Sequence, residues 1–117
     1  MAVQLEREPF EALVDRALDG IPRELAELVH NVVVLVEDDA PPDDPDLLGC
    51  YDGVALTERH GGYGLELPDQ ILIFRHNLLR YCDTLEQLEE EVRVTVVHEI
   101  AHHFGIDDDR LHELGYD

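Results

Sequence analysis

Between His98 and Arg110 the chain reads HEIAHHFGIDDDR, thirteen residues that hold three histidines, a glutamate and three aspartates. On a helix, residues four apart stand one above the other, so His98 and His102 can turn both imidazoles toward one metal ion. Glu99 lies about 100° further round the axis than His98, which puts its carboxylate beside such an ion rather than on it. That is the place for a general base. A zinc ion lowers the pKa of a water toward about 7 and polarises a carbonyl, while the glutamate takes the water's proton and passes it to a leaving nitrogen.

A surface helix with accidental spacing would also display His-Glu-x-x-His, so a third ligand decides the matter. The fifteen residues after His102 are too few for a glutamate brought in by a distant later helix. The other arrangement is a sharp turn at a glycine three residues past the second histidine, with a ligand three residues beyond it. Gly105 and Asp108 occupy those positions, and glycine tolerates the positive φ that such a turn requires. The spacing favours Asp108 as that ligand; the competing reading makes it the cap of a short helix through Leu111 and Leu114, or gives the ligand role to Asp107 or Asp109. His103 is one position past a ligand and faces elsewhere, for packing or hydrogen bonding.

The element that must carry this motif begins at Asp83-Thr84, where Asp83 with Glu86, or Thr84 with Gln87, offers a capping box. Leu85, Leu88 and Val92 set a helical stripe, and Glu86, Glu89, Glu90 and Glu91 suit the early turns of the dipole. The run VRVTVV has strand character too, but cap and stripe lead straight into it, and the spacing predicts one helix to about Phe104, stopped by Gly105. With Val92, Val94, Val96, Val97, Ile100, Ala101 and Phe104 around most of its circumference, this helix should be central and buried.

Upstream, Phe10, Leu13, Val14, Ala17 and Leu18 mark an amphipathic helix closed by Gly20, and Pro22 opens a second, short one to about His30. Val32 to Val36 reads as a buried strand, and Cys50 to Leu56 and Gln70 to Phe74 as two more. DDAPPDDPDLLG between the first two is a loop, and HGGYG, His60 to Gly64, a turn or mobile loop. The pattern is α+β: a small sheet of about three strands against a buried helix, with an N-terminal helix pair, in one domain spanning residues 1–117.

The chain carries 28 acidic against 8 basic residues, a formal charge of -20. Such a field repels phosphate backbones and anionic lipid heads, so neither nucleic acid nor membrane is an expected partner, whereas basic peptides are attracted. MAVQLEREPF has no basic segment followed by an apolar run, and no stretch approaches a membrane span; a cytoplasmic protein is expected. Cys50 and Cys82 are too few for a disulfide framework and read as reduced thiols.

HEIAHHFGIDD resembles the extended metzincin-type pattern of the zincin metallopeptidases, His-Glu-x-x-His-x-x-Gly-x-x-(His or Asp). LLGCYDGVALTER, LPDQILIFRH and HEIAHHFGIDDDRL together look like a small bacterial family of minimal zincin-like proteins, from about Leu47 to the C-terminus. The resemblance implies a zincin-like fold, zinc on His98, His102 and Asp108, and Glu99 as general base in peptide hydrolysis. It also implies that a strand at the sheet edge pairs with extended substrate, a role the order of elements gives to Ile71 to Phe74. Two departures stand out. The methionine turn has no counterpart, since Met1 is the only methionine, and an aspartate ligand lessens Lewis acidity relative to histidine. The same donors also suit iron(II) or manganese.

Other readings compete. A zinc-binding protein-interaction module with little or no protease activity would use the same ligands without a cleft. Peptide deformylases pair a helical His-Glu-x-x-His with an upstream cysteine, which would recruit Cys50, but LGCYDG lacks the rest of their pattern. A ribosome-maturation endonuclease family has a similar outline, with glycine where Glu99 stands and histidine where Asp108 stands, and the charge opposes RNA. His60, Tyr63 and His76 are expected at the surface, and Tyr116 in a frayed terminus.

Overall fold

The computed structural model describes residues 3–27, 32–52 and 69–116. Helix α1, Arg7–Asp19, forms where the three-and-four spacing places it and buries Phe10, Leu13, Val14 and Ala17. The amide of its C-cap, Gly20, bonds back to Ala17. Helix α2, Arg23–Ala26, has Pro22 as its N-cap; its expected continuation to about His30 falls on residues 28–31, which lie outside the described residues. Three strands follow: β1, Val32–Glu37, β2, Gly49–Asp52, and β3, Asp69–Phe74. The predicted continuation of β2 to Leu56, with His60, Tyr63 and the HGGYG turn, also lies outside the described residues.

The sheet order is β1-β3-β2, with β1 parallel and β2 antiparallel to β3. Two expectations are corrected by this order. The β3 strand is central, with main-chain partners on both sides, so Ile71 to Phe74 cannot accept a substrate strand; among the described residues the edges are β1 and β2. Strand β1 is not buried. Val32, Val34 and Val36 turn toward the core, while Val33 and Leu35 stay 37% and 39% exposed. An unbroken apolar run signals burial on both faces only where helices cover both, and here they cover one.

Helix α3, Arg75–Tyr81, has no counterpart in the sequence pattern. It springs directly from β3, with no side chain capping its first turn. Its start is fixed from a distance instead: the Arg75 guanidinium donates to the Asp38 carboxylate at 2.9 Å and to the Leu5 carbonyl at 2.8 Å, and the His76 amide donates to the Asp38 carbonyl. The hydrogen bond from Arg75 holds the Asp38 carboxyl below its ordinary pKa. Asn77 donates to the carbonyls of Pro45 and Leu47, tying the Pro- and Asp-rich loop to α3.

Helix α4, Leu85–Phe104, is the predicted long helix. Thr84 and Gln87 form the capping box: Thr84 Oγ1 accepts from the Gln87 amide, and Gln87 Oε1 from the amides of Asp83 and Thr84. Leu88, Val92, Val96, Val97, Ile100 and Ala101 are buried, and the helix packs on α1 and on strands β2 and β3. Gly105 ends it at φ 70, and the Ile106 amide bonds back to the Ala101 carbonyl. Asp107 then caps helix α5, Asp108–Glu113, whose Leu111 reaches the core.

Close packing of β2 on α4 depends on one missing side chain. A Cβ at Gly49 would stand 2.8 Å from both the Leu72 carbonyl oxygen and Thr95 Cγ2. Backbone cannot yield as a side-chain tip can, so Gly49→Ala should destabilise the protein by about 1–3 kcal/mol, as overpacking does. Thermal denaturation of the two proteins checks this; an unchanged midpoint would mean that β2 floats free of α4.

Candidate metal centre

The last two turns of α4 carry His98, Glu99 and His102, and the buried face of the helix sets where each one points. With Ile100, Ala101 and Val97 in the core, His98 and His102 emerge on one side and line a cleft of about 410 Å³. Helix α5 forms the facing wall with Asp108, Asp109, Leu111 and His112, and Tyr116 completes it. His102 and Asp108 are exposed, whereas His98 is half-buried. The Nε2 atom of His98 is enclosed and has no hydrogen-bond partner among the described residues. A buried imidazole nitrogen without a partner is uncommon, because it forfeits its bond to water and gains nothing in return.

Glu99 points another way, toward β2. Burial pushes its carboxyl above the ordinary pKa, against the opposing pull of His102, the Tyr51 backbone N–H and His98. The Tyr51 amide can donate to it because Leu48, Cys50 and Asp52 alternate toward β3, as the bond from the Phe74 amide to the Leu48 carbonyl requires, leaving Tyr51 at the outer edge. Cys50 is nearby: burial, then the charge of Glu99, then that of Asp52, raise its thiol pKa. Cys50 is a strand residue, as the sequence indicated, and does not line the cleft of His98 and His102.

His103 takes no part in the cleft. Its ring stacks on Tyr51 with centroids 3.8 Å apart and planes 9° from parallel, and its Nε2 lies 3.8 Å from Asp69 Oδ2, which accepts from the Tyr51 hydroxyl at 2.8 Å. Of the alternative ligands, Asp107 is engaged as N-cap through the Arg110 amide at 2.9 Å, while Asp109 shares the cleft wall with Asp108. His76 bonds to Asp39 from α3, half-exposed. Tyr116 is not frayed: it is 9% exposed, its amide bonds to the Leu111 carbonyl, and Gly115 at φ 92 turns the chain back over α5. His112 is the residue the motif did not announce. Its signal was present, since Asp108 and His112 repeat in DDRLHE the four-residue spacing of His98 and His102.

Two imidazoles and a carboxylate are a donor set that zinc accepts. His98, His102 and Asp108 share the cleft without converging on a point, and among the described residues no three His, Cys, Asp or Glu side chains are gathered as a preformed metal site.

The sequence model of the zincin-like metallopeptidases matches residues 29–116. The chain belongs to this family. Zincin-like proteins typically bind zinc, and the α+β architecture with a small sheet under the motif helix is a zincin-like fold. Among solved structures, a conserved hypothetical protein from Thermo thermophilus superposes with a TM-score of 0.54 at 23% identity, covering 84% of this zincin-like chain and 92% of the other. That likeness shows a shared fold. No curated protein matches the chain, and no helix among the described residues is long and apolar enough to cross a membrane.

The half-buried Glu99 has a consequence for stability that does not require turnover. Its folded-state pKa is raised, so its ionised form is disfavoured in the folded protein: the penalty is absent below the ordinary value of 4.5 and grows as pH rises through the raised one. Metal-free Glu99→Gln should therefore melt at a higher temperature than metal-free wild type at neutral pH, with the gap closing below about pH 4.5. Melting curves in the presence of chelator across this range test the sign; a variant that melts lower at neutral pH would contradict it.

Proposed function

We propose that this protein is a zinc-dependent peptidase, with His98, His102 and Asp108 holding the metal and Glu99 as general base. The observation that carries the reading is the enclosed, unpartnered Nε2 of His98, at the wall of a cleft shared with His102 and Asp108. A bound metal would give that nitrogen the partner it lacks. When bound, zinc supplies Lewis acidity for a carbonyl and acidity for a water. The remaining work falls to the chain. Glu99 accepts the water's proton, its burial making it a stronger base than an exposed carboxylate. The Tyr51 amide donates to the carboxylate, and Glu99 then delivers the proton to the leaving nitrogen.

The substrate, on this reading, is a peptide in extended form. Among the described residues β2 is an edge strand, and it takes over the pairing role first expected of β3. Basic peptides suit the charge of -20.

The test begins with metal content by mass spectrometry on protein purified without chelator, comparing wild type with His102→Ala and Asp108→Ala. One zinc per chain, lost in both variants, supports the ligand set; no zinc even when it is supplied rejects it. In a peptide-library screen, Glu99→Gln should keep zinc while turnover drops by roughly 10²–10⁴-fold, the usual contribution of a general base. Cleavage that persists in Glu99→Gln refutes the mechanism. Peptide capture without cleavage in the wild type would instead identify an interaction module.

A further inference from the structure

Tyr116 stands in the wall of the cleft that holds His98 and His102. What fixes it there is the way α5 ends: Gly115 takes the left-handed conformation at φ 92, its amide donates to the His112 carbonyl at 3.0 Å, and the Tyr116 amide donates to the Leu111 carbonyl at 2.8 Å. These are the two bonds of a Schellman cap, which sets the residue after the glycine against the last turn of its helix. The Tyr116 ring accordingly joins the core together with Leu111.

The ring and the backbone are thus accounted for by structure, and a phenylalanine would serve them as well. The oxygen is not. A buried tyrosine ordinarily gives its hydroxyl a hydrogen-bond partner, yet the hydroxyl of Tyr116 makes no hydrogen bond among the described residues, and unlike the Nε2 of His98 it is not enclosed. Glu99 is turned to β2, whereas Tyr116 shares the cleft with the two histidines, so base and hydroxyl approach that pair from different sides.

We infer that Tyr116 is a second catalytic residue, whose phenol O–H donates a hydrogen bond to the scissile carbonyl oxygen as that oxygen gains negative charge. This rests on the peptidase reading above and adds to it a residue that the motif does not contain. As the water's oxygen bonds to the carbonyl carbon, the π pair of the C=O bond moves onto the carbonyl oxygen, and Glu99 takes the proton that the water gives up. The hydrogen bond from Tyr116 strengthens with that charge, and its proton stays on the phenol oxygen. When the C–N bond breaks, the C=O bond re-forms and the nitrogen leaves with the proton from Glu99. A donor of this kind acts on the transition state more than on the bound peptide, so its loss shows in kcat.

The experiment compares zinc-loaded, full-length wild type with Tyr116→Phe, which keeps the ring in the core and removes only the oxygen. Three measurements are made: zinc content with melting midpoint, kcat and KM on a library peptide that the wild type cleaves, and calorimetric affinity for the phosphonamidate analogue of that peptide, in which tetrahedral phosphorus replaces the scissile carbon. Zinc content, midpoint and KM should be unchanged, kcat should fall by roughly 10²–10³-fold, the usual cost of one oxyanion donor, and phosphonamidate affinity should fall with it. An unchanged kcat in Tyr116→Phe, a lower kcat with unchanged phosphonamidate affinity, or a rise in KM alone would overturn the inference and leave the zinc peptidase standing. A wild type that takes up zinc but cleaves no peptide, or cleavage that survives Glu99→Gln, would instead remove the proposed function and this inference with it.

Discussion

The burial of one face of helix α4 is the constraint on which the other features depend. Leu88, Val92, Val96, Val97, Ile100 and Ala101 hold the helix against α1 and the sheet, and the same packing fixes its rotation. Because side-chain directions repeat every 3.6 residues, seating Val97, Ile100 and Ala101 in the core leaves no choice about where His98, Glu99 and His102 point. A chain of 117 residues can close only one core, and in this protein the central helix of that core also carries the motif.

Glu99 shows what that economy entails. It lies at the seam between α4 and β2, where burial raises its carboxyl pKa and makes it both a better base and a source of instability. The opposing contributions from Tyr51, His98 and His102 are of the kind that keep a carboxylate usable without making it comfortable. Tyr51 is held in turn by its stack on His103 and its bond to Asp69. The approach of β2 that brings the Tyr51 amide into place relies on Gly49, so the Glu99 carboxylate is supported through the sheet rather than by the helix that bears it.

What could be read from the sequence was local. The capping box, the glycine stop, the long helix and the spacing of His98, Glu99, His102, Gly105 and Asp108 are relations between residues a turn or two apart, and the structure has them in those places. Features that depend on distant partners were not legible. Nothing in VVVLVE says that β1 lies at an edge, and the helical character of RHNLLRY has no local cap to announce it, only the remote hold of Arg75 on Asp38 and Leu5. Tyr116 reads as a loose end until the turn at Gly115 places it beside the cleft. His112 differs from these: its four-residue spacing from Asp108 is visible in DDRLHE, and only the fold shows that both line one cleft.

Helix α5 hangs between Gly105 and Gly115, both in left-handed backbone with open space where a Cβ would stand. Its tilt is therefore written in two pairs of backbone dihedrals and in the Arg110–Glu24 pair, with Leu111 as its main root in the core. One wall of the cleft therefore takes its angle from two backbone positions in a conformation that L side chains rarely adopt, both outside the helix that carries His98 and His102. In so small a fold this separates two kinds of change: the core sequence sets where the anchored side of the cleft lies, and the joints set how wide it stands.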